Sequence, residues 1–168
     1  MSLIVQKYGG SSVADLDRSE AFCRAIRAAV GDRADLLFGT HGQFTPSAAI
    51  RMARRIAPYD PLWFEEPVPP DAPLDLALVA AQSPVPLSAG ERLTTKADFA
   101  TLLRAGGVGI LQPSLGRVGG LLEGRKVAAT IARRSSIRPH VAACCAAPNP
   151  ARMNLPPPLD RARMTRRV

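Results

Sequence analysis

The stretch LWFEEPVPPDAPLDLALVAAQSPVPLSAGE, residues 62–91, decides the fold class. It contains a short apolar run, LWFEEP, then a segment with helical character, DLALVAAQ, and then a second short apolar run, PVPLSAGE. Short continuous apolar runs separated by helical segments are typical of parallel strands that are covered by helices. The stretch therefore predicts a β-strand, an α-helix and a second, parallel β-strand.

The same alternation continues on both sides of this stretch. Before it come the helical segment EAFCRAIRAAV, which ends at Gly31, the apolar run ADLLFGT, and PSAAIRMARRIA, which opens with proline at a helix start. After it come KADFATLLRAG, a helix that stops at glycine, the apolar run GVGILQP, and GGLLEGRKVAATIA. We therefore expect an α/β fold of about four βα units.

Two carboxylates stand at matching ends of successive apolar runs. Gly39, Glu65 and Glu91 are separated by 26 residues in both intervals. A βα unit repeated at that length brings all three positions to one rim of a sheet or barrel, and in barrels this rim carries the chemistry. The alternative is that the EEP motif only ends a strand with solvent-exposed acids.

Length and composition indicate a single globular domain. The chain has 168 residues, of which 46% are hydrophobic, and no apolar run approaches the roughly 18 residues that a membrane span needs. The first residues lack the apolar stretch and cleavage site of a secretory signal. Three cysteines, Cys23, Cys144 and Cys145, form no disulfide framework or metal-ligand spacing. We therefore expect a protein of the reducing cytoplasm without membrane contact.

The positive charge is concentrated at the C-terminus. Residues 133–168 contain eight arginines, six prolines and one acid, Asp160, within a chain of net charge +8. This composition predicts a basic, Pro/Arg-rich and poorly ordered tail. Basic tails can bind phosphate backbones, but this one lacks interleaved aromatic residues and any recognisable nucleic-acid module. The sequence therefore argues against a nucleic-acid partner.

Residues 20–132 resemble the enolase superfamily, in particular its mandelate racemase and galactonate dehydratase-like branch. The resemblance rests on FGTHGQFTP, WFEEPVPP, PLSAGERL and ILQPSLGRVGG. It implies that residues 19–132 form part of a (β/α)8 barrel of the TIM type. It also implies a Mg2+ cofactor and a small carboxylate substrate, a sugar acid that loses its α-proton and then a β-hydroxyl.

The resemblance also assigns roles to individual residues. Glu65 and Glu91 match two of the family's three metal ligands, and Glu66 is expected to support them from the outer shell. His41 matches the acid that protonates the leaving hydroxyl, a role that suits histidine because it titrates near neutrality. His140, within RPH, matches the proline-histidine that carries the catalytic base.

The sequence departs from the family pattern at several points. Gly39 stands where the first metal ligand is usually aspartate, and Ser114 stands where an aspartate orients the basic histidine. Counterparts of the capping domain and the first two barrel strands are missing, and the pattern ends after about Ile131. The sequence thus predicts a truncated family member that could self-associate through exposed strand edges.

The N-terminus, residues 1–18, carries a second resemblance. LIVQKYGGSSVADLDR, residues 3–18, is similar to the opening of an aspartokinase, and this similarity predicts an added N-terminal strand. It also implies a phosphate-contacting role for Lys7, Gly9, Gly10 and Ser11, because glycines allow close backbone approach and lysine adds a charge. Four alternatives therefore stay open: a sugar-acid dehydratase-like protein, a non-catalytic composite remnant, an aspartokinase-like fragment that phosphorylates aspartate, and a basic binding protein that acts through its tail.

Overall fold

The computed structural model describes residues 15–134 and 140–141 of the chain. Its five strands are β1 (Leu36–Gly39), β2 (Pro61–Glu65), β3 (Leu87–Ala89), β4 (Ile110–Leu111) and β5 (His140–Val141). Its five α-helices are α1 (Leu16–Val30), α2 (Pro46–Ile56), α3 (Pro73–Gln82), α4 (Lys96–Ala105) and α5 (Leu121–Arg134). Short 3-10 turns, Gly31–Arg33 and Ala57–Tyr59, follow α1 and α2.

The strands form one parallel sheet in the order in which they occur along the chain. Every neighbouring pair, from β1–β2 to β4–β5, is parallel. Each helix from α1 to α4 contacts the next one, so the helices lie side by side over the same face of the sheet. A doubly wound sheet would reverse its strand order at a switch point, whereas this order continues in one direction, as in the wall of a barrel. The predicted alternation of strands and helices is confirmed.

The hydrophobic core lies between the helices and one face of the sheet. Strand residues Leu36, Phe38, Phe64, Leu87 and Leu111 are buried in it together with side chains from the helices. The rings of Phe38 and Phe64 lie 5.2 Å apart at an interplanar angle of 50°. Burial of these large apolar groups is the main force that holds helices on the sheet.

Alternate strand residues face the opposite side of the sheet, which is the barrel interior in a closed barrel. Leu37 pairs with Trp63 and Gly39 with Glu65 on this face. The row continues from Glu65 to Ser88 and from Ser88 to Ile110. Leu37 is 52% exposed, so this inner face is open to solvent at β1 in the part of the chain that the structure describes.

Helix ends follow the signals in the sequence. Thr45 caps α2, which has proline in its first turn, and α1 ends at Gly31. At α4, Thr95 and Asp98 form a reciprocal capping box, and the helix ends at Gly106 with φ of 77°, which favours glycine. Hydrogen bonds from Thr95 lower the pKa of Asp98 below its usual value. Each cap satisfies backbone groups that a helix end leaves without partners.

Several predictions fall on residues outside the described ranges. These are the N-terminal strand with Lys7, Gly9, Gly10 and Ser11, and most of the tail at residues 133–168. Self-association through strand edges also stays a prediction. Within the described ranges, no helix combines the length and the apolar character that crossing a membrane requires.

Candidate functional site

The loops that follow β1 and β2 are joined by backbone hydrogen bonds beyond the end of the sheet. Every second residue of the first loop donates its backbone N–H to a carbonyl of the second loop. The bonds run from Thr40 to Glu65 at 3.2 Å, from Gly42 to Glu66 at 2.6 Å, and from Phe44 to Pro67 at 3.1 Å. The Thr40 hydroxyl also donates to the Glu66 carbonyl at 3.2 Å. The two loops therefore hold His41 and Glu66 in fixed relative positions at the carboxyl edge.

His41, Glu66 and Glu91 lie together at this edge. Each offers one ligand atom, an imidazole nitrogen or a carboxylate oxygen, and these atoms all lie within 4.8 Å of one another. His41 and Glu66 both have positive φ, 55° and 39°, which is uncommon for residues with a side chain. Such conformations persist only where the surrounding structure enforces them, and they cluster at functional sites.

Glu66 is a buried carboxylate with one partner. Its side chain is 2% exposed, and Nε of Arg92 donates to its Oε2 at 2.8 Å. Its Oε1 is buried and has no hydrogen-bond partner among the described residues. The other end of the guanidinium lies against Gly42, where an added Cβ would stand 2.3 Å from Nη2 of Arg92. Gly42 therefore leaves the room that Arg92 needs to reach Glu66.

Glu65 takes part in a different interaction. It is the last residue of β2 and half-buried, and its Oε2 accepts a hydrogen bond of 2.9 Å from Nε2 of Gln112. Gly39 pairs with it in register, and a Cβ on Gly39 would make ordinary contact at 3.6 Å from the Glu65 Cβ. An aspartate at position 39 would therefore project beside the Glu65 carboxylate.

The equal 26-residue intervals do not place Glu91 level with Glu65. Gly39 is level with Glu65, but Glu65 is level with Ser88, so Glu91 lies three residues further along, in the turn after β3. The number of residues between level positions is therefore smaller from β2 to β3 (Glu65 to Ser88) than from β1 to β2 (Gly39 to Glu65). Glu91 therefore stands beyond its strand, as Glu66 does, which explains why these two meet. Glu65 is not a member of the group that contains Glu91 within the described ranges.

His140 lies on β5, next to β4, and pairs in register with Ile110. It is thus in the same row as Glu65, three strands away, or about 14 Å along a flat sheet. Ser114, which replaces an expected orienting aspartate, accepts backbone hydrogen bonds from Arg117 and Val118 through its carbonyl. The roles of His41, His140, Glu65 and Glu91 stay predictions.

The charges at the edge suit a divalent cation. Among the described residues, this edge carries three carboxylates, Glu65, Glu66 and Glu91, and the ion pair with Arg92 neutralises the charge of Glu66. Hard cations such as Mg2+ take oxygen ligands of this kind. The buried, unpartnered Oε1 of Glu66 and the open position beside Glu65 at Gly39 fit a group that is bound among these side chains. The donor set is therefore chemically suited to the Mg2+ that the resemblance implies.

Sequence reasoning did not single out Arg92 and Gln112. Arg92 offsets the free-energy cost of burying the Glu66 carboxylate by pairing with it. Gln112 orients the Glu65 carboxylate by donating a hydrogen bond to it. Both carry a signal in the sequence. Arg92 directly follows Glu91, and Gln112 directly follows β4, so both occupy the edge where the glutamates stand.

The sequence profile described as "Enolase C-terminal domain-like" matches residues 5–155. This match includes most of the segment with the aspartokinase-like motif, and the comparisons give no support to a separate unit of that kind. The match thus assigns the greater part of the chain to one family.

Two curated relatives are sugar-acid dehydratases by name. D-xylonate dehydratase of Haloferax volcanii is 40% identical over 114 residues, which is 68% of this chain and 28% of the relative. D-galactonate dehydratase of Ralstonia nicotianae is 38% identical over 113 residues, 67% of this chain and 30% of the relative. The chain thus spans less than a third of the length of these two relatives.

Solved structures share the fold. A mandelate racemase/muconate lactonizing enzyme from Sulfitobacter is 64% identical, with a TM-score of 0.66 over 68% of this chain and 29% of that one. A racemase from Streptomyces coelicolor with bound magnesium is 34% identical, with a TM-score of 0.70 over 73% of this chain and 34% of that one. These likenesses confirm the predicted α/β barrel elements and the superfamily. The chain belongs to the enolase C-terminal domain-like family.

Proposed function

We propose that this chain carries part of the active site of a Mg2+-dependent sugar-acid dehydratase. One observation carries the proposal: the side chain of His41 lies within 4.8 Å of a carboxylate oxygen of Glu91, at the carboxyl edge of the parallel sheet where Glu65 ends β2. The similarity to dehydratases of D-xylonate and D-galactonate supports an aldonic acid as the substrate class. Since the chain spans only part of those relatives, the activity of the whole protein is part of the proposal.

The reaction removes a proton from the carbon next to the substrate carboxylate and a hydroxyl from the following carbon. The hydroxyl leaves as water, and the resulting enol becomes a 2-keto acid. Mg2+, held by Glu65 and Glu91, would supply positive charge to the substrate carboxylate as the α-proton leaves. Gln112 orients Glu65 through its hydrogen bond, and the Glu66–Arg92 pair supports the loop that carries His41.

His41 would donate the proton that the departing hydroxyl needs. Its side chain is exposed at the edge, so a substrate can reach it, and its loop is fixed by the bonds to the β2 loop. His140 would accept the α-proton. Its backbone position on β5 is level with Glu65 in the register of the sheet. The two histidines thus have separate roles, which can be tested separately.

Metal binding is the first test. Mg2+ should raise the melting temperature of the full chain, and Glu65→Gln or Glu91→Gln should remove that increase. Asp32→Asn is the matched control, because Asp32 is exposed and precedes β1 at the opposite edge of the sheet. An unchanged melting temperature in the parent protein would refute the magnesium site.

Gly39→Asp provides a gain-of-function test of the same site. The Cβ at this position has room beside Glu65. An added carboxylate should lower the Kd for Mg2+ by about tenfold, because affinity rises with ligand charge. Equal affinity in Gly39→Asp and Gly39→Ala would show that position 39 does not face the ion.

Activity is the second test. The full chain with Mg2+ should convert an aldonate to a 2-keto acid, detected as its semicarbazone. His41→Asn should abolish product formation but preserve exchange of the substrate α-proton in D2O, whereas His140→Asn should abolish both. Absence of product and of exchange in the parent protein would refute the activity while leaving any measured Mg2+ binding valid.

A further inference from the structure

We propose that His41, Glu66 and Glu91 form a second divalent-cation site, one that takes an imidazole-preferring ion such as Zn2+. The ligand atoms of these residues already lie within 4.8 Å of one another. This set differs from the proposed magnesium ligands, because it replaces Glu65 by Glu66 and adds a nitrogen donor. The inference does not depend on dehydratase activity.

The state of Glu66 points to a ligand at this position. Its side chain is 2% exposed, and Arg92 satisfies Oε2, but Oε1 is buried without a hydrogen-bond partner among the described residues. A buried carboxylate oxygen without a partner is costly, and native structures rarely leave one in that state. A cation between Glu66, Glu91 and His41 would satisfy it.

The donor chemistry selects the type of ion. Imidazole suits Zn2+, Ni2+ and Cu2+, whereas Mg2+ prefers a shell of oxygen atoms. One nitrogen and two carboxylate oxygens match a three-ligand zinc site whose fourth position stays open. Donors around a tetrahedral Zn2+ at about 2.1 Å lie roughly 3.4 Å apart, so side-chain shifts of about 1 Å suffice.

The neighbours of the site help to hold these ligands. Arg92 holds Glu66 through Oε2, and the Thr40 hydroxyl and the Gly42 backbone N–H both donate to the Glu66 carbonyl. Partners of this kind orient metal ligands and raise affinity. Since Glu91 belongs to both sets, Zn2+ and Mg2+ should compete for the edge.

The test measures Zn2+ binding by calorimetry, with a site-specific readout from the imidazole NMR signals. The chain has two histidines, His41 and His140, so each ring can be followed separately. The parent protein for this test carries Cys144→Ser and Cys145→Ser, because free thiols bind zinc themselves. Cys23 is fully buried and stays unchanged.

Zn2+ should shift the His41 ring signals in the parent protein. His41→Asn should weaken binding by about tenfold or more, and asparagine tolerates the positive φ at this position. Glu66→Gln should weaken binding similarly, and circular dichroism checks that this variant folds. Glu65→Gln should change Zn2+ affinity by less than about twofold while it removes the Mg2+ response, which separates the two sites.

Each opposite result overturns the inference. A shift of His140 alone would place the ion at the other histidine. Full Zn2+ affinity in folded Glu66→Gln or in His41→Asn would exclude the proposed ligands. Loss of Zn2+ binding in Glu65→Gln would show that the ion occupies the magnesium position, and absence of binding in the parent protein would exclude a zinc site.

Discussion

Replacing Arg92 by methionine tests how strongly the edge depends on the buried Glu66–Arg92 pair. The substitution keeps much of the apolar stem but removes the guanidinium that donates to Oε2 at 2.8 Å. Since Oε1 already lacks a partner among the described residues, the whole carboxylate, 2% exposed, would then be buried without a donor to either oxygen. Arg92→Met should therefore destabilise the fold far more than the loss of a surface arginine.

The size of the effect has an upper limit. Removing one partner of a buried ion pair costs about 3–5 kcal/mol. A buried carboxylate can instead take up a proton, and for an ordinary glutamic acid this costs about 3.7 kcal/mol at pH 7 but only about 1 kcal/mol at pH 5. Because the arginine side chain is itself 23% exposed, solvent already weakens the pair, and we expect a loss of about 2–4 kcal/mol at pH 7 and about 1 kcal/mol at pH 5.

Urea unfolding, followed by far-UV circular dichroism at both pH values, measures these losses relative to the unchanged protein at the same pH. Arg104→Met is the matched control, because Arg104 is an exposed arginine of α4, and it should change stability by less than about 0.5 kcal/mol. An equal loss at pH 5 and pH 7, or a loss at pH 7 no greater than that of the control, would refute the argument that an unpaired buried carboxylate causes the effect.

Three further predictions concern the core and the helix caps. Phe64→Ala should cost about 3–5 kcal/mol in urea unfolding, because the ring is fully buried between Phe38 and Phe44; a loss below about 1 kcal/mol would contradict the packing described. Thr95→Ala should cost about 1 kcal/mol by removing one half of the capping box; because the pKa of Asp98 is lowered, the part that depends on its charge should be lost as pH falls below 3.8. Burial raises the pKa of the Cys23 thiol to about 11, so iodoacetamide should modify this residue at pH 8 only after urea unfolds the chain, as peptide mass spectrometry would show. Modification of Cys23 at the same rate in native and unfolded protein would contradict its burial.

The fold could be predicted from the sequence because its local and long-range signals agree. Apolar runs such as LWFEE are short and continuous, which is what a strand within a parallel sheet requires. The helices between them begin at threonine or proline, and α4 also ends at a glycine, Gly106. A sequence with consistent signals at each level has few competing folds.

The site was harder to predict, because equal spacing in sequence did not give equal positions along the strand direction. The interval from Glu65 to Glu91 equals that from Gly39 to Glu65, yet the register places Ser88, not Glu91, level with Glu65. Strand lengths and turn shapes set that offset, and no residue type signals them. The sequence predicts a metal-ligand role for Glu65 and Glu91 and only a supporting role for Glu66. The burial and the unpartnered oxygen of Glu66 appear only in three dimensions.

The hydrogen bonds that join the loops after β1 and β2 have a consequence for ligand affinity. The first loop is tied to the second at Thr40, Gly42 and Phe44, so it cannot swing away as a free lid. His41 and Glu66 are thus preorganised, and a ligand that binds between them loses little conformational entropy by ordering these loops. The main cost of binding at this edge should therefore be the free energy of removing water from the carboxylates. The cost of ordering the chain should be smaller.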